Sequence, residues 1–520
     1  MILVNGAIKN FSGKDYQWIK LNNKKIYDLG YGTDYEKYLD KDVKIVDLKG
    51  RSVLPGFFDS HVHLDETVIN ETNIDFGEAT NFKYIEARLK EASQNRPDKK
   101  IIMGLSIHDH TLEEKRLPTR RELDRMCPEY PVWIASKDMQ RSILNSKALE
   151  LIKVPFNLNG MQIDNKGVVT GLLEHEANAY AKSKIMKLYT FEEKCDMIKI
   201  YIEKNVLPKG ITTLVDVESN LINDMEDYKK FLKFTRKLPV TIELYYSTTD
   251  IEEIKARKLT RLGGDLGVDG SFTSRNAALF ENYADVKSNG ELYFSQEELN
   301  SLVSDCYKNS IQIGLHAVGD RAYEQVLVAH EYAQKIYGNL NLRHRVEHAE
   351  LMSDEQIKRT SDLGLVLSMQ PVFETMLGNK ENKLYEKYNE LYVKSLGERH
   401  LRTNMFKEIL DAGIVICGGS DSALTPIDPI LGIYSAVNHP KEDHRVTLEQ
   451  AIRMFTADAA YGVNAEEERG ILLPGKQADI VILDQNIDDM DIKDIKNVLV
   501  DFTIRDGKIT YIRNEGELNE

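Results

Sequence analysis

Eight short apolar segments recur along the middle of the chain, separated by stretches long enough for a helix. They are GFFDSHVHL (56–64), GITTLVDV (210–217), PVTIELYYS (239–247), GDLGVDG (264–270), IQIGLHAVG (311–319), HRVEHAEL (344–351), LGLVLSMQP (363–371) and GIVICGGSDSAL (413–424). Short apolar runs bounded by turn residues read as buried strands. The stretches between them, such as SQEELNSLVSDCYKN and TNMFKEILDAG, are of helical length. Strand alternating with helix predicts the α/β class, and eight such units predict a (β/α)8 TIM barrel. An open doubly wound sheet is the runner-up, but no GxGxxG follows a strand to support it.

Both ends carry period-2 apolar runs: MILVNGAI, KKIYDL and KIVDLKG at the start, ADIVILD, VLVDFTI and GKITYIR at the finish. Neither end alone holds enough strands for a stable sheet. The economical arrangement is one composite β-sandwich domain built from residues 1–54 together with 470–520, with the barrel of residues 55–469 inserted in it. Two stretches exceed a barrel connection. Residues from about 65 to 200 form an insertion after the first strand, with apolar pieces KIIMGL and PVWIASKD, and residues 372–402 are a charged run after the seventh. Both leave from strand C-termini, the face where barrel active sites sit, so each is a candidate lid.

The 520 residues hold 68 Lys and Arg against 83 Asp and Glu, a net charge of −15. Such a field repels nucleic-acid phosphates and anionic lipid, so the expected partner is a small-molecule substrate, with no nucleic acid and no membrane. No run of 18 apolar residues and no secretory leader pattern occurs, which predicts a cytoplasmic protein. Cys127, Cys195, Cys306 and Cys417 make no CxxC pairing, so any metal must be held by His, Asp and Glu.

His61 and His63 end the first strand candidate, and residues i and i+2 of a strand point to one face. The pair is weak evidence alone. His316, His348 and Asp421 lie at the ends of the fifth, sixth and eighth candidates, at successive steps of 32 and 73 positions. Those steps approximate one and two βα units, which brings all five to the same end of the barrel. Their nitrogen and oxygen donors suit zinc, manganese or ferrous iron.

Other candidates carry bland alternatives beside them. His108 and His110 read as surface or lid residues, and His344, four before His348, as core. Glu174 and Glu176 flank His175 and offer a carboxylate from the insertion, or simply a solvated helix start. Arg275, Asp320, Arg321, Arg345 and Gln370 stand at strand ends, where they orient a substrate or brace loops.

GFFDSHVHL, HAVGDRA, RVEHAEL, GGSDSAL and GILLPGKQADIVILD together resemble the amidohydrolase superfamily, in the branch of N-substituted formamide deformylase and YtcJ-like proteins. The similarity runs from about residue 45 to the end, and includes DGSFTSRNAAL (269–279) and PVWIASKDMQRSILNSKAL (131–149). It implies a metal-dependent hydrolase that forms homodimers. His61 and His63 would bind a first metal, His316 and His348 a second metal or the substrate, and Asp421 would bind metal and shuttle the proton. Many relatives carry a carboxylated lysine where this chain has Asp265, and Gln140 stands where the branch usually has His. A bridge between two ions must then come from Asp265, Glu174 or Glu176, or the site holds one ion.

The chemistry implied is hydrolysis of a C–N bond other than a peptide bond, of amide or N-acyl/N-formyl type. The cofactor would be a divalent metal, zinc, at one or two ions per chain. With His348, the metal would polarise the carbonyl, and Asp421 would carry the proton. The alternatives are a mononuclear deaminase of a cyclic amidine and a catalytically idle binding protein of the same fold. The intact set of five ligands argues against the last.

Overall fold

The computed structural model describes residues 1–514 except 12, 14, 41–42, 72, 96–99, 137–138, 219–220 and 377–391. Residues 377–391 of the charged run at 372–402 therefore lie outside the described residues. The chain falls into two compact units, Met1–Leu64 with Lys199–Glu520, and Asp65–Ile198.

The first unit contains eight parallel strands: β1 (Phe57–Val62), β2 (Ile211–Asp216), β3 (Thr241–Leu244), β4 (Arg261–Gly267), β5 (Gln312–Ala317), β6 (Arg345–His348), β7 (Val366–Met369) and β8 (Ile416–Gly418). They form a three-stranded sheet in the order β3, β2, β1 and a five-stranded sheet running β4 to β8 in sequence. An isolated parallel bridge pairs Tyr246, just after β3, with Leu262 of β4, and another pairs Val62 of β1 with Ser422, beyond β8. Every residue of β1, β2, β6 and β7 is buried. Such unbroken burial is what a parallel sheet covered on both faces demands, and it explains apolar runs without alternation.

The intervening helices carry their own start signals. Gln296–Lys308 opens on Ser295, whose hydroxyl accepts from Glu298 N while the Glu298 carboxylate returns to Ser295 N. Leu299, Leu302, Val303 and Cys306 are its buried stripe at helical spacing. Asp354–Leu363 opens on the same device at Ser353 and stops at Gly364, in the left-handed region at φ 66°.

Two strands depart from the sequence reading. The fourth covers 261–267 rather than 264–270, because Gly263 and Gly264 do not begin it but break its register. The eighth ends at Gly418, so Asp421 sits in the loop beyond it.

The chain ends make two sheets. Lys25–Gly30, Trp18–Asn22, Ile2–Val4 and Ile45–Asp47 form a four-stranded sheet from N-terminal residues alone. The expectation that neither end could make its own sheet is thereby corrected: Lys20 and Asn22 dilute the apolar pattern of WIKLN, which is nonetheless a strand. The second sheet combines Ala7–Ile8 and Ser52–Pro55 with Ile480–Leu483, Val500–Arg505 and Lys508–Ile512. Leu3, Ile19, Leu21 and Ile26 pack with Val53, Ile480, Ile482, Phe502 and Ile504 in one cluster. At about 2 kcal/mol for each buried aliphatic side chain, this cluster ties the two chain ends firmly together.

The second unit is built on a six-stranded mixed sheet, in the order Met161–Ile163, Val169–Glu174, Arg141–Leu144, Val132–Ala135, Ile102–Leu105, Ile74–Asp75. Its own core includes Phe76, Ile85, Leu89, Leu123 and Ile134. Among the described residues no helix is long and apolar enough to cross a membrane.

Candidate metal centre

His61, His63, Asp265, His316, His348 and Asp421 meet at the C-terminal ends of the parallel strands. His63 Nε2 lies 3.4 Å from His61 Nε2 and 3.0 Å from Asp421 Oδ1, and His61 Nε2 lies 3.5 Å from the same oxygen. Asp265 Oδ1 is 2.9 Å from His316 Nδ1, 3.2 Å from His348 Nε2 and 3.9 Å from His61 Nε2, while its Oδ2 is 3.7 Å from His63 Nε2. Three overlapping triads result: His61/His348/Asp421, His61/His63/Asp265 and Asp265/His316/His348, each with its donor atoms within 4.8 Å of one another.

The backbone does specific things to gather these groups. Between β4 and β5 the register jumps from Gly263 opposite Gly314 to Leu266 opposite Leu315, so Gly264 and Asp265 are extra residues in a bulge. Gly264 sits at φ 89°, and a Cβ there would stand 2.8 Å from both Val217 O and Tyr245 Cβ. Only glycine permits this approach, and the bulge carries Asp265 into the cluster. His348 and Asp421 adopt φ of 70° and 55°. For residues other than glycine such angles cost on the order of 1–3 kcal/mol each, and here the strain falls on two members of the cluster. Asp421 N donates to His61 O at 2.9 Å and His63 N to Ser422 O at 2.8 Å, so the loop after β8 is pinned to β1.

Each imidazole turns one nitrogen outward to an oxygen. His61 Nδ1 donates to Glu347 Oε2 at 2.8 Å, His348 Nδ1 to Gln370 Oε1 at 2.8 Å, and His316 Nε2 to Gly270 O at 3.2 Å. Glu218 Oε1 stands 3.1 Å from His63 Nδ1. In a neutral ring with its proton on the outer nitrogen, the lone pair of the inner one would face Asp265 and Asp421. Lone pairs of nitrogen and carboxylate oxygen at 2.9–3.2 Å repel unless a cation lies among them. This donor set, with an oxygen partner behind every imidazole, fits a divalent ion.

The titration behaviour says the same in protons. Burial disfavours charge on His348, yet Asp265 and then Asp421 outweigh it and push its pKa up to about 10. Burial likewise opposes charge on His63, but Glu218 and Asp421 raise it well above the usual range. Asp265 is half-buried, and His316, His348 and His61 hold its carboxyl well below the ordinary value. The pocket stabilises positive charge.

Several supporting groups were not singled out from the sequence. Glu347 adjoins His348, and strand alternation would put the two on opposite faces; the left-handed φ at His348 is what admits both. Asp59, buried on β1, accepts from Ser420 N at 2.8 Å and His61 N at 3.3 Å, and burial lifts its carboxyl to about 7. Asp269 accepts from the backbone N–H of Val318, Gly319 and Ala278 and so fixes the turn after β5. Nothing in the sequence pattern distinguished these acids from surface ones.

The remaining candidates are placed as follows. Gln370 is 1% exposed and holds His348. Arg275 pairs with Asp285, Asp320 accepts from Phe280 N at 3.0 Å, and Arg321 reaches the carbonyls of Asn289 and Gly290. His344 is buried against Tyr307 and His330. In the second unit Glu174 accepts from Gln162 Nε2 at 2.9 Å and Glu176 from Asn159 N at 3.3 Å. His175 between them opens the helix His175–Met186, and His108 precedes the turn Asp109–Thr111.

Comparison with known proteins bears on this geometry. The sequence model described as the amidohydrolase family matches residues 44–511. Putative amidohydrolase YtcJ of Bacillus subtilis is 26% identical over 506 residues, covering 92% of each chain. N-substituted formamide deformylase of Arthrobacter pascens is 23% identical over 546 residues, covering 99% of this chain and 98% of its own. The crystal structure of an uncharacterized metal-dependent hydrolase from Pyrococcus furiosus superposes with a TM-score of 0.75 at 26% identity, covering 95% of this chain and 99% of that one.

Proposed function

This chain belongs to the amidohydrolase family and is an enzyme, and from that premise we propose that it is a metal-dependent hydrolase of non-peptide C–N bonds in a small molecule, of amide or N-acyl/N-formyl type. Its eight parallel strands are read as a (β/α)8 barrel over residues 55–469; the bridges Tyr246–Leu262 and Val62–Ser422, between the two parallel sheets, support this. The mixed sheet with strands from both chain ends supports the composite β-sandwich of 1–54 and 470–520, with the stretch from about 65 to 200 as insertion.

The observation that carries the metal reading is the orientation of four imidazoles, each with an oxygen behind it and its other nitrogen towards Asp265 and Asp421. His61, His63 and Asp421 would hold one ion, and His316 and His348 a second. Asp265 is the preferred bridge over Glu174 and Glu176, because one of its oxygens faces His316 and His348 and the other faces His63. Mixed nitrogen and oxygen donors suit zinc.

A divalent ion bound there supplies Lewis acidity and lowers the pKa of water from 15.7 to about 7. Asp421, 7% exposed, is kept ionised by its bond to His63 and the nearby His61 and His348, which outweigh its burial. As a carboxylate it would take a proton and deliver it to a departing nitrogen. Where a single ion leaves His348 free, its Nε2, set by the bond from Nδ1 to Gln370, would polarise the substrate carbonyl. The four cysteines, all buried and none in a disulfide, fit a reducing cytoplasm, and the family resemblance implies a homodimer.

The short side chain of Asp265 favours one alternative, a one-ion deaminase of a cyclic amidine. A panel of N-formyl, N-acyl and cyclic amidine substrates, assayed for carboxylic acid and for ammonia, tests the proposal. Carboxylate release that disappears in His61→Ala supports amide hydrolysis, whereas ammonia release from the amidines alone replaces it with deamination.

A further inference from the structure

We propose that Arg345 is a positioning residue for the metal centre, acting through Glu347 to keep the His61 ring in the tautomer that offers Nε2 to the cluster. This rests on the metal reading above. Arg345 Nε donates to Glu347 Oε1 at 2.9 Å and its Nη2 to Oε2 at 2.7 Å, a two-pronged grip that fixes the carboxylate plane. The same Oε2 accepts from His61 Nδ1 at 2.8 Å. A second bond from Nη2 reaches Ser60 O at 2.8 Å, the carbonyl just before His61. Arg345, Glu347 and His61 are each 0% exposed, and the guanidinium lies over the Tyr245 ring, its Cζ 4.7 Å from the centroid.

The chain of bonds has a direction. Arg345 balances a carboxylate that could not otherwise remain charged in the interior. The carboxylate holds a proton on Nδ1, which leaves the lone pair on Nε2. Arg345 also grips the strand that carries the ring, so both the backbone and the side chain of His61 are set from below. A buried ion pair is weak evidence for stability, since apolar residues of similar volume commonly serve as well. An apolar pair cannot orient His61.

The test follows from that difference. Arg345→Met/Glu347→Leu removes both charges together, so no unpaired charge is left in the interior, while His61 Nδ1 loses its acceptor. Zinc affinity is measured by competition with a chelator, and the His61 Nδ1–H signal by NMR of histidine-labelled protein. The proposal expects a folded double variant with zinc affinity lowered roughly 10- to 100-fold and the protected Nδ1–H signal of the wild type lost. Arg345→Lys, which keeps the charge but not the fork, should fall between. If the double variant fails to fold, Arg345→Lys carries the test, with a partial loss of both zinc affinity and the Nδ1–H signal expected. Unchanged zinc affinity and an unchanged Nδ1–H signal in a folded variant overturn this role for Arg345 while leaving the metal centre standing. A wild-type protein that binds no zinc overturns both.

Discussion

Asp265 Oδ1 lies 2.9 Å from His316 Nδ1, and the same carboxylate faces His63 with its other oxygen at 3.7 Å. One short side chain thus touches both halves of the cluster. Asp265→Ala should lower the bound metal by about one ion per chain and reduce turnover at least 100-fold, read by elemental analysis and assay of the same preparation. An unchanged metal content would remove Asp265 from the centre.

Gly264 makes that reach possible. Gly264→Ala places a methyl group 2.8 Å from Val217 O in a left-handed backbone. The expected result is a loss of roughly 1–3 kcal/mol of stability together with weakened metal binding, measured by denaturant titration and chelator competition. A variant with wild-type stability and metal affinity would mean that the bulge is incidental.

Asp421→Asn keeps shape and burial but cannot accept a proton. Turnover should fall by roughly 10²- to 10⁴-fold with folding retained, as judged by circular dichroism. Turnover within a few fold of wild type on an identified substrate would transfer the shuttle role elsewhere.

His330 and His344 give the fold an acid-sensitive point away from the metal centre. Burial depresses His330 to about 3 and His344, with His330 beside it, well below the usual histidine range. The unfolded chain therefore takes up protons below pH 6.5 that the folded chain refuses, so stability should decline as pH falls from about 6.5 towards 3. His330→Leu should flatten this limb in denaturant titrations at successive pH values. An equally steep decline in the variant would place the sensitivity in other groups.

Much of this was legible because parallel strands buried on both faces write themselves as apolar runs, and because His61, His316 and His348 stand at strand ends where the run stops. Residues fixed by backbone irregularity were not. The bulge at Gly263 and Gly264 displaced the fourth strand by three residues and carried Asp265 into the cluster. Glu347 escaped notice because a positive φ at His348 breaks the alternation that any sequence argument must assume. Arg345 and Gln370 stood open between orienting a substrate and bracing loops, and their bonds to Glu347 and His348 could not be foreseen, since a side chain's partner depends on residues other than its own. The N-terminal sheet was missed at Trp18–Asn22, where Lys20 and Asn22 interrupt a strand whose Trp18, Ile19 and Leu21 are buried.

The most direct test of the account is the zinc content per chain of protein purified without chelators and supplemented with the metal, compared with His61→Ala. About two ions in the wild type, with the loss of at least one in the variant, is the predicted result. No bound metal in the supplemented wild type would contradict the central claim that the six clustered residues form a metal centre.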